Sequence, residues 1–211
     1  MLFSSVVVSH YTPSSVPRLT RTISRPRFPF EGIIITRIMI KDLIEKTRSY
    51  RRFDGSCRVS REVLLELVDC ARLCASAGNR QPLKYLLSSD PERNNRIFPH
   101  LAWAGYLRDW PGPAEAERPS AYIIILGDTR IHPTFECDHG IAAQSIMLAA
   151  TEKGLGGCII AAINRKGLRD ALQIPSHFEI LLVLALGRPV ETVVLEDLPE
   201  SRDIRYWREE D

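Results

Sequence analysis

Apolar residues first recur at helical spacing near position 40. Ile40, Leu43, Ile44 and Thr47 fall three and four apart, which predicts an amphipathic helix over residues 39–49 with its charges on the other face. Ser60 stands where a helix N-cap belongs, ahead of a stripe made by Leu64, Leu67, Val68 and Ala71. Gly78, Asn79 and Pro82 stop that period, so the polar groups of Ser76, Asn79 and Gln81 belong to a loop. KYLLSS, starting at Lys84, then reads as a short strand.

The second half is more apolar. AYIIILG, from Ala121, is a continuous branched run and predicts a buried strand. DHGIAAQSIMLAATEKGLG predicts a long central helix opened by the charge of Asp138, whose alanines and Ser145 permit close approach in a core or a dimer seam. Gly154, Gly156 and Gly157 end it. CIIAA makes another strand, RKGLRDAL a short helix and EILLVLALG the last buried strand. Residues 91–119 are aromatic and broken by proline, which predicts short helices and an excursion over a site. Trp103, Tyr106 and Trp110 there either stack on a substrate or pack the excursion itself. Strands and helices in mixed order, with the long helix able to connect parallel strands, suggest an α/β domain of sheet and covering helices.

Composition narrows the classes. A chain of 211 residues buries one substantial core, so one domain is expected. Its 28 basic and 26 acidic residues give no bulk field for nucleic acid. The five cysteines, Cys57, Cys70, Cys74, Cys137 and Cys158, form no CxxC pair and leave an odd number, against both a disulfide framework and a zinc cluster. Reduced thiols in the cytoplasm are the expectation. No apolar run approaches the ~20 residues that span a bilayer, so no membrane association is expected. Residues 1–30 hold four arginines and no Asp or Glu, a composition shared by transit peptides and unstructured tails. Regular patterning begins at Met39, so residues 1–38 read as a disordered extension and 39–211 as the domain.

The chemistry concentrates in TRSYRRF, residues 47–53, where three arginines follow a helix. One cation suffices to meet a helix C-terminus. Arg48 and Arg51 together with the Ser49 hydroxyl suit a phosphate better, because guanidinium forks match its oxygens. Arg52 is expected to face solvent. Cys70 and Cys74, four apart on a helix, read as small buried thiols, and Asp138 with His139 as a helix cap rather than a metal site.

RSYRRF, SAGNRQP, DHGIAAQSIMLAA, GLGGC and LALGRP, in this order over about residues 39–190, resemble the nitroreductase family of flavin mononucleotide (FMN) enzymes. The resemblance implies an α+β fold, a central, mostly antiparallel sheet flanked by helices, in an intertwined homodimer with FMN at the subunit interface. That displaces the parallel arrangement. Arg48, Ser49 and Arg51, with Tyr50 between them, match positions that hold the flavin phosphate, ribityl chain and pyrimidine edge. Ser76, Ala77 and Asn79, with Gln81, match the loop that approaches the flavin from the partner subunit. Ala161 and Ala162 fall where backbone N–H groups face the redox-active nitrogen and adjacent carbonyl, donors that stabilise the reduced anionic flavin.

Three positions depart from the pattern. Ala75 stands for a proline and Leu83 for an aromatic, both packing changes. Relatives also carry a basic Lys-Arg element beyond the GRP turn that helps bind the phosphate and that RYWREED lacks, which leaves two alternatives: Arg188 or Arg202 compensates, or the reading frame is truncated. The implied function is transfer of hydride from NADH or NADPH through bound flavin to an electron-poor small-molecule acceptor such as a nitroaromatic or quinone. The cofactor carries that chemistry, so no catalytic side chain is named. The alternative is a flavin-binding or storage protein with little turnover.

Overall fold

The computed structural model describes residues 39–197 and 200–208. The extension expected at residues 1–38 lies outside them. The elements in chain order are α1 (Ile40–Lys46), α2 (Arg61–Arg72), β1 (Leu83–Ser88), α3 (Pro91–Ile97), β2 (Ala121–Asp128), α4 (Asp138–Glu152), β3 (Gly156–Ile160), α5 (Arg165–Leu172) and β4 (Phe178–Gly187).

All four strands form one sheet in the order β1-β2-β4-β3, and every pairing is antiparallel. β2 lies inside the sheet, and all eight of its residues are buried, as its unbroken apolar run requires. The long helix α4 does carry the chain from β2 to a strand of the same direction, β3. Yet β4 inserts between those two and pairs with both, so the parallel neighbours suggested by periodicity never meet. The result is the α+β arrangement.

Side chains alternate across the sheet into two cores. On one face Ile123, Ile125, Leu184 and Leu186 pack under Leu64 and Leu67 of α2 and Ile146 and Met147 of α4. On the other, Tyr122, Ile124, Leu126 and Val183 meet Ile97 of α3 and Leu168 of α5. Fully burying one such Leu or Ile side chain contributes about 1.5–3 kcal/mol. Helices on both faces leave function to the sheet ends and the outer strands.

Three element ends depart from the sequence pattern, each for a tertiary reason. α1 stops at Lys46 because Ser49 is drawn into a bridge with Gly157, and the Tyr50 N–H donates to the Gly157 carbonyl at 2.9 Å. β3 stops at Ile160 rather than Ala162, since the Ala162 carbonyl accepts from the Ala102 N–H at 3.0 Å and Ile163 bridges Leu101. The N-cap of α4 is Cys137, and Asp138 occupies the first helical position with a different task. Ser60 caps α2 as expected, accepting the Val63 N–H at 3.3 Å. No helix among the described residues is long and apolar enough to cross a membrane.

Candidate functional site

Residues 48–53 lie along the outer edge of β3 because Gly156 has no side chain. A Cβ there would collide with Pro189 and stand 2.6 Å from the Tyr50 ring. Phe53, fully buried, bridges Pro189 and anchors the far end. The last carbonyls of α1 are met locally: Leu43 by the Thr47 hydroxyl at 2.6 Å, Ile44 by Arg48 Nη2 at 2.7 Å and Lys46 by the Tyr50 hydroxyl at 3.1 Å. Arg48 therefore does cap the helix. Its Nε, like that of Arg51, is buried without an acceptor among the described residues, although Arg51 Nη1 donates to the Ser49 carbonyl at 3.1 Å. Ser49 is exposed between them.

Four residues past Gly157, about 13 Å along an extended chain, come Ala161 and Ala162. Both are exposed, and among the described residues no acceptor takes either N–H. Between the two groups sits Cys158. Burial pushes its thiol up, against the opposing pull of Arg51 and Ser49 beside it.

Two acids organise the cluster and were not singled out in the sequence. Glu191 accepts the backbone N–H of Arg51, and that of Arg52 at 3.1 Å, through Oε1, and takes Arg208 at 2.7 Å through Oε2. Glu117 Oε1 accepts Arg52 Nε at 2.9 Å and Nη2 at 2.6 Å, so Arg52 is paired rather than turned to solvent. Arg208 and Tyr206 bring the C-terminal segment back over this region, with the Arg51 guanidinium 4.8 Å from the Tyr206 ring centroid. Arg188 is engaged by Asp54, whose carboxyl the Ser56 hydroxyl and then Arg188 hold well below the usual carboxylate range. For Arg202 the structure gives only a left-handed backbone, φ 55°. Apart from Ser56, two residues past Asp54, proximity in sequence signalled none of these partners.

The loop from Ser76 to Gln81 is built around Asp138, which is 4% exposed. Its carboxylate accepts the Ser76 hydroxyl at 2.5 Å and the Ala77 N–H at 2.9 Å. Ser76 Oγ in turn accepts the Gln81 N–H at 3.0 Å, and Gln81 Nε2 donates to Asn79 Oδ1 at 2.7 Å. Gly78, Asn79 and Gln81 all take left-handed backbone angles, φ 57°, 53° and 51°, a tight turn the side chains brace. This loop enters β1, the opposite outer strand from β3. The two strands between them set the edges roughly 14 Å apart. In one protomer Arg48–Arg51 and Ala161–Ala162 thus adjoin the same outer strand, β3, while Ser76–Gln81 leads into the other, β1.

A groove of about 690 Å³ opens beside the 48–53 segment, lined by Arg52, Phe98, Trp110, Glu117, Arg118 and Arg208 and floored by the stretch 111–114. Trp110 faces it and Trp103 packs behind it, 5.8 Å from Phe98 between ring centroids. Tyr106 instead meets Tyr206 at 5.0 Å. Of the three aromatics, Trp110 is the one that lines this groove.

A model described as the nitroreductase family matches residues 44–188. A protein of Methanothermobacter thermautotrophicus, provisionally named NADH dehydrogenase/NAD(P)H nitroreductase, is 25% identical over 182 residues, covering 82% of this chain and 90% of that one. A nitroreductase family protein of Streptococcus pneumoniae superposes with a TM-score of 0.63 at 16% identity, covering 81% of this chain and 100% of the other. An FMN-dependent nitroreductase of Clostridium difficile gives a TM-score of 0.60 at 22% identity over 77% and 93% of the two chains. These structural likenesses show the shared fold.

Proposed function

The chain belongs to the nitroreductase family, and on that premise we propose that it is an NAD(P)H-dependent FMN oxidoreductase reducing an electron-poor acceptor such as a nitroaromatic or quinone. The observation that carries the reading is the pair of buried guanidinium N–H groups, Arg48 Nε and Arg51 Nε, left without an acceptor among the described residues on either side of the exposed Ser49. A buried charged donor with no partner costs free energy until an acceptor arrives, and a phosphate supplies several oxygens at once. The residues present therefore fit the phosphate and ribityl chain of FMN.

Bound FMN supplies the hydride-accepting and hydride-donating chemistry. The chain supplies the rest. Arg48, Ser49 and Arg51 hold the phosphate end, and Tyr50 fixes their segment to β3. Ala161 and Ala162 offer backbone N–H groups to the ring, rigid donors where negative charge gathers on reduction. Cys158, buried and with its thiol pushed up, stays a neutral wall and not a nucleophile. Arg188, paired with Asp54, closes the turn behind the phosphate segment instead of adding a second clamp.

The reading entails a homodimer. If Ser76, Ala77, Asn79 and Gln81 also border the flavin, they come from a second copy, because in one protomer they belong to the opposite outer strand. Supporting this, Leu73 at the end of α2 is 71% exposed and Ile141 on α4 37% exposed, an apolar surface on the helical layer that carries the loop.

The direct test is an FMN titration followed by flavin fluorescence. Arg48→Ala or Arg51→Ala should weaken FMN by about 1.5–3 kcal/mol per lost charged hydrogen bond. Unchanged affinity in both variants would put the phosphate elsewhere.

A further inference from the structure

We propose that the groove beside the 48–53 segment binds a small aromatic carboxylate, with Arg118 as its anchor. The inference stands on the groove's own chemistry and does not rest on the flavin reading. Three arginines and one carboxylate line the space. Arg52 is committed to Glu117 at 2.6 Å and Arg208 to Glu191 at 2.7 Å. Arg118 meets no carboxylate among the described residues, and its Nε is buried without an acceptor.

Arg118 is nevertheless held in place. Its guanidinium lies 4.1 Å from the centroid of the Phe98 ring, a contact through its face that uses none of the N–H groups of its fork edge. A carboxylate matches that edge bidentately. The groove also has an apolar wall: Trp110, braced by Arg208 at 4.3 Å, with Pro111 and Pro113 beside it in sequence. Gly112 adopts φ 107° and presses on Trp103, where a Cβ would stand 2.9 Å from the ring, so the rim is fixed by packing.

Size and charge select among anions. A volume of about 690 Å³ is in the range of small-molecule sites. One uncommitted guanidinium beside the acid Glu117 suits a monoanion; a doubly charged phosphate would face that acid's like charge. A planar ring on Trp110 with its carboxylate on Arg118 uses both walls.

The test is a calorimetric titration of the purified full chain with benzoate and with benzamide, its neutral counterpart of the same shape. Benzoate should bind at least about tenfold tighter, the scale of one charged hydrogen-bond pair. Arg118→Met should remove that preference and leave benzamide unchanged, while Arg118→Lys retains part of it. Saturating FMN should leave benzoate binding intact. Equal affinity for benzoate and benzamide in the unmodified chain would overturn the proposal, as would an unaltered preference in Arg118→Met. Displacement of benzoate by FMN would assign the groove to the flavin and also overturn it. Failure of the chain to bind FMN would sink the flavin reading alone, because the benzoate titration is read without it.

Discussion

Glu191 binds three donors from two distant parts of the chain, and its side chain is only 12% exposed. Truncation in Glu191→Ala leaves the Arg51 and Arg52 N–H groups and the Arg208 cation without their acceptor. The expected loss is about 1–3 kcal/mol in urea unfolding, with Glu191→Gln recovering part of it. Limited proteolysis should then cut after residue 191 faster than in the unmodified chain; equal stability and equal cutting would show that the contact contributes nothing. Arg48, Ser49 and Arg51 could be proposed as phosphate ligands from sequence because that proposal needs only residue types close together. Glu191 and Arg118 were not. Arg51 and Glu191 are 140 positions apart, and no local pattern marks an acid whose partners arrive through folding.

Among elements, the clearest were those whose stripe and cap agree, such as α2 with Ser60 and Leu64, Leu67 and Ala71 buried. The ends of α1 and β3 were lost where a bridge across space outweighed propensity. The loop at Ser76 owes its shape to α4, so Asp138→Ala should leave the Ser76 hydroxyl and the Ala77 N–H without their acceptor and cost about 1–3 kcal/mol. Amide exchange across residues 76–81 should rise in that variant while β2 stays protected; unchanged exchange would remove Asp138 from the loop's support. At the end of β2, hydrogen bonding from Arg130 holds the Asp128 carboxyl down to about 2 from 3.8. A carboxyl depressed in the folded state adds stability above its unfolded value and loses it as pH falls through the folded one. Thermal midpoints should therefore drop between about pH 4 and pH 2 in the unmodified chain, and less steeply in Asp128→Asn. Parallel curves would contradict the pairing.

On the scale of the whole molecule, the order β1-β2-β4-β3 decides what one copy can assemble. Periodicity recognised the layers and the long helix but not the insertion of β4, since strand order is a property of pairing and not of any single run. The resemblance to known motifs supplied what periodicity lacked. The purified chain should sediment at twice its 23.9 kDa mass, and charges placed at Leu73 and Ile141 should drive it to monomer with loss of FMN. A monomer that binds FMN as tightly as the unmodified chain would refute the shared site. The most direct test of the central claim is anaerobic absorbance of the FMN-loaded protein on addition of NADH or NADPH. The yellow flavin band should bleach with at least one nicotinamide and return when a quinone or nitroaromatic is added. A flavin band that neither nicotinamide bleaches would contradict that claim.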